Sequence, residues 1–365
     1  MILPFRQKAW LIISILILIS LSCNLGQPKS DPSIINTNAD DSNADPIFTT
    51  NEMGSTRADP VPKGSMVSVP GWQIEVLEFL RGEDARKIIE FGNSNEELIS
   101  ADWDYALAKV SVRCTALDNK AYDLGISEIF MSGDRNLSYG DNMDGWPQPE
   151  FLFEDMYSAE IVEGWVDAVI PKDEHNMILV VDVDEYENRT TRFFELEDNA
   201  AIQLSDELVN LEPNKVGLSP DTAASPGQTV ITPDWEFTIL ESLTGNEAET
   251  LLQKDNIYYV PPEDGFGYLV LKFQLVYKNK NDIPVWVGYD TFYALDENGY
   301  MVQGSMIYDP PGLDWISDKV LPGAEIIAWV SMYTKSAILS PIIVFDPDRY
   351  NYEGQNVNIR YLKIN

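Results

Sequence analysis

The chain states one pattern twice. The stretch "VPGWQIEVLEFLRGEDA" from Val69 lines up with "TPDWEFTILESLTGNEA" from Thr232 at a constant offset of 163, sharing Pro, Trp, Leu, Glu, Leu, Gly and Ala. The register continues, with "YALAKVSVRCTAL" from Tyr105 on "YLVLKFQLVYKNK" from Tyr268 and Gly125 on Gly288. At an offset of 164, Trp165-Val166 meets Trp329-Val330, and "LVVDVDE" from Leu179 meets "IVFDPDR" from Ile343. A repeat this long is a whole domain rather than a solenoid unit. The chain therefore reads as a tandem duplication, with one domain over residues 61–204, a linker over 205–227 and a second domain over 228–365.

Each copy has the two-residue alternation of half-buried strands. Trp72, Ile74 and Val76 alternate with Gln73 and Glu75, and Trp235, Phe237 and Ile239 repeat this against Glu236 and Thr238. Ala106, Ala108, Val110, Val112 and Cys114 make one strand face, opposed by Lys109, Ser111, Arg113 and Thr115; Leu269, Leu271, Phe273, Leu275 and Tyr277 are its second version. Asn298-Gly299 in "FYALDENGYMVQ" predicts a hairpin. Ala85, Ile88 and Ile89, repeated by Ala248, Leu251 and Leu252, predict a short helix between the first strands of each copy. The class is all-β: two tandem β-sandwiches of about seven strands each, with a short inserted helix, each large enough to fold alone.

The N-terminus is different. Arg6 and Lys8 precede an apolar run over 9–21, too short for an ordinary membrane span, and Ser22-Cys23 follows. Residues 1–22 read as a lipoprotein signal peptide and Cys23 as the lipidated residue. Ser20 and Leu21 depart from the usual residues before such a cysteine, so an uncleaved signal anchor or an ordinary secretory peptide stays open. Residues 23–60, rich in Asn, Asp, Ser, Thr and Pro, read as the lipidated N-terminus and a flexible tether. The expected location is the outer side of a bacterial cytoplasmic membrane or the cell surface. With Cys23 lipidated, Cys114 has no disulfide partner.

Composition narrows the chemistry. Fifty-nine acidic residues against 25 basic ones give a net charge of −34, which repels nucleic acid and anionic headgroups and leaves contact with the membrane to the acyl chain. The single histidine, His175, lies in the turn-like "PKDEHNM", and no G-x-S-x-G, H-E-x-x-H or P-loop sequence occurs. The chain reads as a non-enzyme without a required cofactor. Asp182 and Asp184, repeated by Asp346 and Asp348, form a D-x-D at the end of one strand in each copy. Calcium ligation and ordinary Asx-turn chemistry are both open for them. Trp146 and Trp315 fall in Pro/Gly-rich stretches and read as loop residues that either contact a ligand or fold back over the sandwich.

"EFLRGEDARKIIE", "DYALAKVSVRC" and "EIVEGWVDAVIPKDEHNMILVV" in the first copy resemble, in order, the telokin-like, immunoglobulin-like extracellular domains of unknown function found in bacterial lipoproteins. The second copy keeps "ESLTGNEAETLL", "GYLVLKFQLVYKN" and "VLPGAEIIAWVSM", and departs where "IPKD" becomes "MYTK". The resemblance implies two immunoglobulin-like sandwiches on an exported, anchored protein and supplies no catalytic residues. The expected function is a surface module that binds a protein or glycan. The alternative is a carbohydrate-binding module, or a carbohydrate-active enzyme using paired carboxylates and the loop tryptophans.

Overall fold

A computed structural model describes residues 53–91, 101–116, 120–125, 127–140, 145–147, 155–185, 188–254, 259–288, 291–296, 298–302, 318–335, 341–349 and 356–364. Cys23 and Trp315 lie outside the described residues.

The first half carries β1 (Met66–Val69), β2 (Trp72–Arg81), helix α1 (Glu83–Arg86), β3 (Ile89–Phe91) and β4 (Trp103–Cys114). It continues with β5 (Ile129–Ser132), β6 (Gly145–Pro147), β7 (Ile161–Pro171), β8 (Ile178–Glu185) and β9 (Asn188–Glu195). Helix α2 (Asp206–Val209) and a 3-10 turn (Pro220–Thr222) lead into the second half. There β10 (Val230–Ile231), β11 (Trp235–Thr244), helix α3 (Gly245–Gln253), β12 (Phe266–Tyr277), β13 (Val285–Val287) and β14 (Phe292–Leu295) follow. The chain ends with β15 (Met301–Val302), β16 (Asp318–Val320), β17 (Glu325–Lys335), β18 (Ile342–Phe345) and β19 (Arg360–Lys363).

Sheet β1-β2-β4-β7 faces sheet β5-β8-β9, and sheet β10-β11-β12-β17 faces sheet β15-β14-β18-β19. The strand alternation decides this. Trp72, Ile74 and Val76 of β2 stand opposite Cys114, Val112 and Val110 of β4, all buried. Trp235, Phe237 and Ile239 stand likewise opposite Tyr277, Leu275 and Phe273. A register shift follows at the same place in each copy, between Val76 and Glu78 and between Ile239 and Glu241. Ile129, Met131, Leu179, Val181 and Phe194 close the first core from the other sheet. Phe292, Ala294, Ile343, Phe345 and Leu362 close the second. Each Val, Leu, Ile, Phe or Met among them taken fully out of water contributes about 1.5–3 kcal/mol.

The helix expectation is corrected in detail. The first helix is one turn long and Ile89 belongs to β3, whereas α3 is full length. Both helices cover the outer face of their sheet, Ala85 over Tyr105 and Leu107, and Ala248 with Leu252 over Tyr268 and Val270. Trp165 and Trp329 therefore pack under the helices rather than between the sheets. Trp165 is buried; Trp329 is half-buried, with Lys272 Nζ 5.4 Å from its ring centre.

The boundaries also move. Gly54 O accepts from Phe193 N–H and Val61 N–H donates to Phe193 O, each at 2.8 Å. The same bonds recur in the second copy, where Gly217 and Ala224 stand 163 residues after Gly54 and Val61: Tyr361 N–H donates to Gly217 O at 2.7 Å and Ala224 N–H to Tyr361 O at 2.9 Å. Both glycines have left-handed backbones, φ 69° and 72°, and a Cβ would stand 2.7 Å from Phe193 O or 2.6 Å from Tyr361 O. Only glycine fits such a position. Residues 53–60 are thus not tether, and the end of the 205–227 segment is not free linker. They are the same strap, lying beside the last strand of its own sandwich.

Candidate functional site: the junction between the sandwiches

Both sandwiches fall in one compact unit, and Asp182, which sequence reading singled out, helps to explain why. β8, the middle strand of its sheet, carries Asp182 just past the end of β5, with its side chain almost fully buried. Asp182 Oδ1 accepts from Arg189 Nε at 2.7 Å and Thr191 Oγ1 at 3.0 Å, both on β9 across the hairpin. Its Oδ2 accepts from Arg189 Nη2 at 2.6 Å and from Lys319 Nζ at 2.7 Å. Lys319 belongs to β16 of the other sandwich, and its ammonium also stands 5.5 Å from the centre of the Phe130 ring. Arg189 Nη2 reaches across to Pro284 O as well. Burial works against the Asp182 charge, but the bonds from Arg189 and Lys319 outweigh it and hold the carboxyl below its ordinary range.

A second ion pair comes from the strap. Arg57 has no exposed surface, and its Nε and Nη2 donate to Asp282 Oδ1 at 3.0 and 2.9 Å. Its backbone N–H donates to Asp282 Oδ2, its Nη2 to Pro322 O at 2.7 Å, and its Nη1 to Asn136 Oδ1. Between the two ion pairs the backbones join. Leu321 N–H donates to Asn136 O at 2.8 Å and Ser138 N–H to Lys319 O at 3.0 Å, with Leu137 bridging Val320. Leu321 is buried among Phe130, Ile178, Val180, Phe193, Ala200 and Ile202 of the first sandwich. Buried charges with both partners present, sealed by apolar contacts, resist opening.

Asp182 is therefore engaged by protein cations, and two positive groups stand where a calcium ion would have to enter. Asp184 lies on β8 opposite Arg189; its side chain is outside the described residues. Among the described residues the second D-x-D is bonded by neutral donors instead. Asp346 accepts from Asn356 Nδ2 and from Tyr293 OH, and Asp348 Oδ2 accepts from Asn358 Nδ2 at 2.7 Å, an amide shared with Asp234 Oδ2 at 2.8 Å. Burial, with Asp234 and Asp346 nearby, pushes the Asp348 carboxyl up despite the Asn358 bond. Among the described residues no group of three His, Cys, Asp or Glu side chains is arranged to hold a metal ion.

The other sequence readings resolve one by one. Trp146 lies on β6, opposite Glu90 of β3, instead of in a loop. His175 is exposed in its turn, and Cys114 is fully buried in the first core. Sequence reading missed Arg57, Arg189, Asp282 and Lys319. The signal that would have recovered Arg57 is the pair of glycines at the repeat offset, Gly54 with Gly217 and Gly64 with Gly227, which extends the repeat back into the presumed tether.

No family model and no curated protein matches the chain. Among solved structures, a candidate lipoprotein from Bacillus subtilis (ycdA) is similar at 11% identity and a TM-score of 0.28, the match covering 38% of each chain. The yjhA protein of Bacillus subtilis is 16% identical with a TM-score of 0.28, over 38% of this chain and 99% of its own. An uncharacterised β-sandwich protein of Clostridium difficile is 16% identical with a TM-score of 0.27, over 42% of this chain and all of its own.

Proposed function

We propose that the chain is an exported, lipid-anchored surface module that binds a protein or glycan partner and performs no chemistry of its own. The observation that carries this reading is the junction. Two ion pairs, a backbone bridge and Leu321 fix one sandwich against the other, which suits a presenter of loops at set spacing better than a jaw that closes on substrate. The residue inventory agrees with it, since His175 and Cys114 lie apart, one exposed and one packed away. The anchoring part rests on the sequence around Cys23. Among the described residues no helix is long and apolar enough to cross a membrane.

Metabolic labelling with palmitate tests the anchor. Labelled protein in the membrane fraction is expected for the natural chain, with label and membrane association both lost in Cys23→Ala. Unchanged labelling in that variant would contradict the reading. Binding of the unlipidated chain on a glycan array would identify a sugar partner; a blank array directs the search to proteins.

A further inference from the structure

The junction is made by two copies of one fold, so its contacting segments have counterparts at the opposite end of the unit. The segment that enters the first sandwich, Lys319-Val320-Leu321, corresponds to Asp155-Met156-Tyr157. The bridge of Val320 to Val285 matches that of Met156 to Tyr122. The bonds of Tyr277 N–H to Ala324 O and Gly323 N–H to Tyr277 O match those of Cys114 N–H to Glu160 O and Ala159 N–H to Cys114 O. The receiving segment, Asn136-Leu137-Ser138, corresponds to Gly299-Tyr300-Met301, since Met131 bridges Tyr139 as Ala294 pairs with Val302. Asn136 and Gly299 share the left-handed backbone, φ 60° and 77°.

Leu321, at the junction, is wholly buried, and Leu137 packs against the cores of both sandwiches. Their counterparts are open: Tyr157 is 53% exposed, Tyr300 72% and Met301 51%. Three large apolar side chains thus stand in water at the positions where this fold contacts its own kind. We propose that these two ends bind each other between molecules, Tyr157 of one chain seated beside Tyr300 and Met301 of a second copy, in the geometry of the internal junction. The occupant is a second copy because the contact continues an interface the chain already makes with itself. Such a contact is head-to-tail and leaves both outer ends free, so it builds rows rather than closed dimers. The Tyr157 N–H, held by Glu160 Oε2 at 3.0 Å, would turn to Gly299 O as Leu321 N–H turns to Asn136 O.

The charges do not carry over. Lys319 becomes Asp155 and Asp182 becomes Asp346, so the internal ion pair is replaced by two facing carboxylates. Arg57 becomes Pro220, and the strap clamp is missing. Association is therefore held by apolar contact against repulsion, and added salt strengthens it by screening, the reverse of an ion-paired interface.

The inference names one partner for the module proposed above and rests on that reading, yet it fails separately: palmitate labelling does not depend on it. Sedimentation velocity of the exported chain carrying Cys23→Ala tests it, over rising concentration at low salt and at 1 M sodium chloride. Concentration-dependent association at high salt is expected. Tyr157→Ser and Tyr300→Ser should each weaken it about tenfold or more, as loss of a central aromatic does, without changing the melting temperature of these exposed positions. Asp155→Asn, tolerated on that residue's left-handed backbone, should bring association to low salt. A monomer under every condition, Asp155→Asn in 1 M salt included, would overturn the proposal. So would association unchanged in the Tyr157→Ser, Tyr300→Ser double variant.

Discussion

Asp182 and Asp346 occupy the same place in the two repeats, yet one is bound by cations and the other by neutral donors. In the first copy the hairpin partner is Arg189 and the neighbouring sandwich contributes Lys319. In the second copy the donors around Asp346 and Asp348 are Asn356, Tyr293 and Asn358, with Asp234 adding a third carboxylate. The fold holds the strand end in place in both, while the neighbours decide its chemistry. Where the other sandwich docks, the acid becomes part of an interface; in the second copy it sits in a crowded acidic corner.

Breaking the first corner has the larger effect. Asp182→Asn leaves Arg189 and Lys319 facing an amide that can no longer neutralise them, and should destabilise the chain by about 3 kcal/mol in chemical denaturation. The loss should be pH-dependent. Because the folded-state pKa of Asp182 is depressed, its stabilisation is present above the unfolded value of about 3.9 and disappears as pH falls through the folded one. Wild type and variant should converge in acid. Equal destabilisation at pH 7 and at the acid extreme would mean that Asp182 acts by packing rather than by charge.

The second corner should respond weakly and with opposite sign. The Asp348 pKa is raised in the fold, so its contribution is fully present below the unfolded value and is lost as pH rises through the folded one. Asp348→Asn removes that penalty and should raise the melting temperature slightly at pH 7, with no change near pH 2. A lower melting temperature at pH 7 would show that the carboxylate bond to Asn358 outweighs the repulsion from Asp234.

The contrast also marks how far sequence reaches. Period two read twice was enough to place Trp72, Trp235 and the Cys114 face in the cores, because alternation between water and core is a local property of a strand. The turn at Gly299 and the all-β class were legible for the same reason. The junction was not. Arg57 and Asp282 are 225 residues apart, and neither stands in an apolar pattern that announces burial. Periodicity tells which side of a strand a residue is on, not whether a helix covers that side, so the helices over Trp165 and Trp329 were not legible from the alternation alone. Asp182 was visible as half of a D-x-D, but its partner Lys319 comes from the other repeat, where no spacing rule points to it.

The central claim is that the two sandwiches are one mechanical and thermodynamic unit, locked by Asp182 with Lys319 and by Arg57 with Asp282. Differential scanning calorimetry measures this most directly. The account predicts a single transition whose calorimetric and van't Hoff enthalpies agree for the natural chain, separating into two transitions when Arg57→Ala and Asp182→Ala are combined. Two resolved transitions in the natural chain, unmoved by those substitutions, would contradict it.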